Sequence, residues 1–206
     1  AYDPRADLVL VGTDRGIAAI RGEISTTELD AVPIRAISSS FSLLNGLNSF
    51  AAGPEGVYVR QKDGSWQSIS GAPAGCLSVL LWENRLWVGT EAGLYNWDGN
   101  EWTFIAETNG FAITALGTAR GYKSPGRQTL WAGTAGTVEE GINKIVCFEL
   151  EDTKTVFQHG GKDLAVSPDD AHRYVDIPKE VHTAVGYAGR LNARYTGETV
   201  GVFGSY

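Results

Sequence analysis

Short apolar and aromatic runs, each closed by small or turn-forming residues, follow one another along this chain, and nowhere does the apolar spacing take the period of a long helix. The clearest passage is Arg85 to Trp102, RLWVGTEAGLYNWDGNEW. An apolar-aromatic run there ends in Gly-Thr, a small-residue loop follows, a second run closes on Asp-Gly and a third opens at Trp. That order predicts strand, turn, strand, turn, strand. It recurs as LVLVGTDRGIAAIRG from Leu8, SFAAGPEGVYVRQKDGSW from Ser49 and TLWAGTAGTVEEGINKIVCF from Thr129, with a fainter copy, RLNARYTGETVGVF, from Arg190.

Aligned on their glycines, the copies place Gly12, Gly53, Gly89 and Gly133 at equivalent positions, separated by 41, 36 and 44 residues. That is the period of four-stranded propeller blades. A further strand precedes each later copy: IRAISS from Ile34, LSVLLW from Leu77, ITALGT from Ile113 and HTAVGY from His182 align without gaps. Their second positions, Arg35, Ser78, Thr114 and Thr183, are polar, and the two that follow are apolar. Near-continuous apolar character suits an innermost strand buried between neighbouring sheets, with the polar position expected to face a central channel. The expectation is an all-β chain, a β-propeller of four-stranded antiparallel blades with about five repeat units visible, forming a single domain over 1–206 or part of a larger propeller. Strand counting leaves the first unit without an inner strand, since only Ala1 to Asp7 precede Leu8, and the last without an outer one.

Local chemistry agrees. Asp63-Gly64 and Asp98-Gly99 read as tight hairpin turns in which glycine takes positive φ. Trp87/Trp131 and Trp66/Trp102 fall at equivalent repeat positions, which assigns these aromatics to packing. A formal net charge of −7 argues against broad binding to nucleic acid or anionic membrane, and no run approaches the roughly 18 apolar residues of a membrane span. The chain holds no Met, so an N-terminal segment removed on export, or membership of a longer polypeptide, is expected. Cys76 and Cys147 form no CxxC pair and read as buried free thiols.

RLWVGTEAGLYNWDGNEWTF resembles the repeat of the two-component-regulator propellers, the extracytoplasmic sensing domains of bacterial histidine kinases. Their pattern is an aromatic-apolar strand, Gly-Thr, Gly-Leu-Tyr, an Asp-Gly turn and then Trp-Thr. The resemblance covers Leu77 to Ile113 well and Ser49 to Ser70 and Leu8 to Gly22 fairly. It implies a propeller that is secreted or periplasmic. Similar repeats occur in secreted lectins, glycan-active enzymes and assembly factors.

In this strand order, loops from an outer strand to the next inner strand share a rim with those from second to third strand. That rim receives the insertion at 158–180, rich in charged and aromatic residues, and long insertions on a repeat scaffold carry function more often than turns do. The candidate ligand or partner contacts are Arg35, Trp82, Asp169, Asp170, His172, Arg173, Tyr174, His182 and Tyr187, expected to converge around the channel. On the opposite rim the insertion at 119–128 brings Arg120, Tyr122, Lys123 and Arg127 into a basic-aromatic patch suited to an anionic polymer or a neighbouring subunit. Asp169, Asp170 and His172 match no metal-ligand spacing, so neither metal nor cofactor is expected. The aligned inner strands carry no Asp or Glu, and the chain has no G-x-S-x-G elbow, no H-E-x-x-H and no Gly-rich phosphate loop. These features favour a non-catalytic extracytoplasmic domain that binds a protein partner or a carbohydrate-like ligand through its rims, with no nucleic acid and no membrane span. Two alternatives stand beside it. One is a structural subunit of an extracellular or viral assembly, completed by neighbouring strands. The other is a glycan-active propeller enzyme relying on His172, His182 and the acids of the insertion.

Overall fold

The computed structural model describes residues 1–42, 46–120, 128–135, 137–139, 142–144, 146–150, 156–160, 174–175 and 200–201. The chain divides into two units, Ala1–Leu116 and Gly117–Tyr206. The first holds three antiparallel sheets of four strands, each strand paired with its neighbour in sequence. Strands β1 (Tyr2–Asp3), β2 (Leu8–Thr13), β3 (Gly16–Arg21) and β4 (Ile24–Asp30) make the first sheet. The second comprises β5 (Ala36–Ser42), β6 (Gly46–Gly53), β7 (Gly56–Arg60) and β8 (Trp66–Ser68), and the third β9 (Cys76–Trp82), β10 (Arg85–Thr90), β11 (Leu94–Trp97) and β12 (Trp102–Ile105). Each is an antiparallel meander of four strands, and the sheets are arranged like the blades of a propeller.

Strand β13 (Ile113–Arg120) spans the unit boundary and opens a fourth sheet with β14 (Gln128–Thr134), β17 (Val146–Leu150) and β18 (Val156–Gly160). A hairpin of β15 (Thr137–Glu139) and β16 (Ile142–Lys144) is inserted between β14 and β17. Finally β19 (Tyr174–Val175) pairs with β20 (Val200–Gly201). Gln158 to Gly160, read from sequence as the start of the long insertion, belong to β18, and Ala119, Arg120 and Gln128 belong to the strands flanking the shorter one.

Three expectations need correction. The first sheet does possess an inner strand: Tyr2 pairs with Val9 and Asp3 with Leu8. Two residues are too few to show an apolar pattern, and the strand is secured by polar bonds instead. The Asp3 carboxylate accepts the backbone N–H groups of Arg5 and Ala6, turning the chain back into β2. Secondly, Gly53 is not the equivalent of Gly12 and Gly89. It pairs with Gly56 as Thr13 pairs with Gly16, so it stands where Thr13 and Thr90 close their turns, and it makes a close approach of its own, since a Cβ there would stand 2.0 Å from the Pro33 carbonyl oxygen. The threonine hydroxyls explain the Gly-Thr signature: each donates to the glycine carbonyl three residues on and accepts a backbone N–H from inside the turn. Thirdly, the polar inner-strand position does not uniformly face open space. Arg35 and Thr114 are exposed, but Ser78 is buried and its hydroxyl donates to the Ile113 carbonyl at 3.0 Å.

Alternation sends one face of each sheet toward the next. Leu8, Leu10, Ile17, Ala19 and Ile34 bury against Ala51, Tyr58 and Trp66 between the first two sheets. Phe50, Ala52 and Val57 bury against Val79, Leu86 and Val88 between the second and third. The Asp-Gly turns are as expected: Gly64 and Gly99 take φ of 89° and 107°, and each aspartate caps its own turn.

An ion triad joins the first two sheets. Arg60, at the end of β7, donates through Nε at 2.7 Å to Glu28 on β4, and a second nitrogen reaches the other Glu28 oxygen. Its Nη1 reaches Asp3 at 3.2 Å, and the indole of Trp66 and the hydroxyl of Ser49 complete the carboxylates' partners. All three charged side chains are nearly buried, between 5% and 12% exposed. Removing the cation leaves two desolvated anions facing each other. Arg60→Ala is therefore expected to lower the unfolding free energy by about 3–5 kcal/mol in urea titration, with Arg60→Lys intermediate because an ammonium cannot form the fork. A loss below about 1 kcal/mol for the alanine variant would show the triad to be dispensable.

Both thiols are free, as read from the sequence; Cys76 is buried and Cys147 partly buried. Burial pushes Cys76 up to about 12, against the opposing pull of Arg35, and its thiol donates to the Pro73 carbonyl at 3.0 Å. Burial likewise raises Cys147 to about 11. Because the unfolded thiol ionises near its ordinary 9.0, this contribution to stability is intact below that pH and is lost as pH climbs toward the folded values. At about pH 8 neither thiol is expected to react with iodoacetamide in the folded chain, while both react in denaturant. Mass spectrometry of the alkylated peptides reads this directly, and rapid native labelling of Cys76 would contradict its placement.

Candidate functional site

In the first unit the turns fall on two rims. The upper rim carries the β2–β3, β6–β7 and β10–β11 turns and the links between sheets, while the lower carries the remaining hairpin turns. At the lower rim the second and third sheets part, leaving a cleft of about 270 Å³. Phe50, Val59, Leu81, Leu86 and Trp97 form its walls, and Asn48, Asn84, Asp98 and Gly99 its more polar lining. Asn84, Asp98 and Gly99 are exposed, which places them at the solvent end.

Each lining group follows from local structure. Glu83 and Asn84 both take positive φ, 48° and 61°, in the two-residue turn that reverses β9 into β10. Register then places Leu81, Leu86 and Trp97 side by side on the face turned to the second sheet. Trp97 is backed by Trp102, the ring centroids 6.0 Å apart and the planes inclined by 22°, and the Trp102 indole donates to the Ser70 carbonyl. At Asp98 the backbone N–H groups of Glu101 and Asn100 hold the carboxyl below the usual range, so it is an anion at neutral pH.

The sequence candidates lie elsewhere. Arg35 sits at the upper rim, its guanidinium 3.1 Å from the Glu91 carboxylate in an exposed pair. Trp82 ends β9 at the lower rim, where its ring lies 6.3 Å from that of Trp87, on the face opposite the cleft. The two therefore occupy opposite ends of the blades and do not converge. Tyr174 pairs with Gly201 in the short β19–β20 ladder, and Arg120 is the last residue of β13. Asp169, Asp170, His172, Arg173, His182, Tyr187, Tyr122, Lys123 and Arg127 lie outside the described residues. Among the described residues no cluster of His, Cys, Asp or Glu is arranged to hold a metal ion, and no helix is long and apolar enough to cross a membrane.

None of Asn48, Asn84, Trp97 and Asp98 was read from the sequence as a site residue. For Trp97 and Asp98 the signal was the WDG turn itself, which reads as scaffold and serves as scaffold, yet also presents an indole and a carboxylate at one rim.

No family model and no curated protein matches the chain. Solved structures do match. One is the extracellular domain of BT4673 from B. thetaiotaomicron, described as a hybrid two component system, at 12% identity and a TM-score of 0.51, covering 85% of this chain and 30% of that one. A second structure of an extracellular domain of BT4673, described as a one component system, aligns at 13% identity and a TM-score of 0.49 over 84% of this chain and 30% of that one. The chain thus spans under a third of the length of the structures it matches, and the likeness to the first is one of fold: all-β, with antiparallel four-stranded sheets.

Proposed function

We propose that the chain is a non-catalytic domain of the two-component-regulator propeller type, working outside the cytoplasm and binding a ligand through its lower-rim cleft. The cleft carries the reading: an indole wall, a hydrocarbon floor and a polar solvent end, in a volume just below the ~300–1,000 Å³ usual for small-molecule sites. Its described lining supplies one carboxylate, whereas glycoside cleavage uses two facing each other across the bond. The extracellular location of the BT4673 domain supports the compartment. The insertion at 158–180, with Asp169, Asp170, His172 and Arg173, and the patch of Arg120, Tyr122, Lys123 and Arg127 are proposed as further contact surfaces for a partner. The test is a panel of monosaccharides, amines and amino acids added to the isotope-labelled chain. A binder is expected to shift the Trp97 indole N–H more than the other indoles, and Trp97→Ala to weaken it about tenfold. Binders that ignore Trp97 and survive its replacement would remove the cleft from consideration.

One observation favours a second reading, a subunit of an extracellular assembly. The face of the first sheet turned away from the second exposes Tyr2, Val9 and Val11 at 54%, 44% and 38%. In the turn-based register, the equivalents of Val9 and Val11 are Ser49 and Ala51 in the second sheet and Leu86 and Val88 in the third, none more than 1% exposed. A surface built like a blade interface fits a neighbouring copy of the chain. Under this reading the chain self-associates in analytical ultracentrifugation and Val9→Asp with Val11→Asp returns it to monomer. A parent chain that sediments as a monomer at all concentrations would exclude it.

A further inference from the structure

The walls of the lower-rim cleft select a charge. Among the described residues that line it, Asp98 alone carries one; the others present amides or hydrocarbon. Two backbone N–H groups at 2.9 Å fix its Oδ1, so the carboxylate stays at the solvent end instead of rotating away. Arg85 also bears on the Asp98 charge, yet its side chain alternates with cleft-lining Leu86 onto the other face of the sheet, where it donates to Asn96 Oδ1 at 3.2 Å. Beside Asp98 stands the Trp97 indole, backed by Trp102, with Phe50 and Leu86 beyond it.

A fixed carboxylate next to an indole, above a hydrocarbon floor, is an arrangement that recognises an organic cation. The ring quadrupole and the carboxylate attract the same charge, and the alkyl groups that carry it fill the apolar part. An anionic ligand would meet repulsion from Asp98, and a neutral one would shield the carboxylate from water without compensating it. We infer that the lower-rim cleft binds a small organic cation, an alkylammonium or guanidinium group. This rests on the reading of the cleft as the ligand site and narrows the class of ligand it takes.

Choline and its neutral tert-butyl isostere share one framework and differ in the charge of a single atom, so they separate the two ideas. Titrated into the isotope-labelled full chain at constant ionic strength, choline is expected to shift the Trp97 indole N–H, assigned through Trp97→Phe. The neutral isostere is expected to bind about tenfold more weakly. Asp98→Asn keeps an oxygen to cap the turn, so the fold is retained, and it lowers choline affinity about tenfold, to the level of the isostere. Glu107→Gln, an exposed carboxylate outside the lining, leaves affinity unchanged. Equal affinity for the two probes, or an unaffected Asp98→Asn variant, overturns the cationic class while leaving the cleft a ligand site. Failure of choline to move Trp97 also overturns it, and if the wider ligand panel leaves Trp97 unmoved, the cleft reading falls as well.

Discussion

How closely one sheet can approach the next is decided in the first unit where small residues at the end of a second strand meet the links between sheets. A Cβ on Gly89 would stand 2.4 Å from the Ile113 carbonyl oxygen and 2.3 Å from the Ser78 hydroxyl, and one on Gly12 would meet Ile34 at 2.7 Å. The link carrying the chain from one sheet to the next crosses there, so the upper rim is drawn tight. Strand twist then separates the sheets toward the lower rim. Between the second and third sheets the wedge is filled near the top by Ala52, Val57, Val79 and Val88, while Phe50, Leu81 and Leu86 leave space below. The cleft therefore lies at the wide end of this interface, away from the links between sheets.

Much of this was legible in the residue pattern. Alternating apolar runs, Gly-Thr and Asp-Gly recur because each blade must close the same turns with the same backbone angles, so the repeat reports turn chemistry directly. The misreadings have physical reasons. Strand β1 is held by the Asp3 carboxylate, not by apolar periodicity, and a two-residue strand casts no pattern. Aligning Gly53 with Gly12 followed residue identity, whereas the structure follows the turn: Gly53-Pro54 cannot supply the threonine hydroxyl, so that sheet closes on a glycine that also meets the Pro33 carbonyl. The site was harder still. Phe50 and Trp97 belong to different sheets, and their meeting depends on how two sheets splay, which no local pattern encodes. The sequence instead drew attention to charged insertions, which differ from the repeat by definition, and passed over residues that serve the repeat and the cleft together.

Four carboxylates in this unit show why charge alone does not mark function. Asp3 and Glu28 are nearly buried, and Arg60, Trp66, Ser49 and two backbone amides occupy them, so they hold two sheets together and have little left to offer a ligand. Glu91 faces Arg35 in an exposed pair whose worth is small in water. Asp98 differs from both. Its backbone partners fix it in place through one oxygen, as a turn requires, yet it remains at the open end of an aromatic-walled space. A side chain immobilised by the scaffold has already lost its conformational freedom on folding, so a ligand that meets it loses less entropy in ordering the site. The turn therefore does more than join two strands: by fixing Asp98 directly after Trp97, it prepares a rim on which recognition can be built.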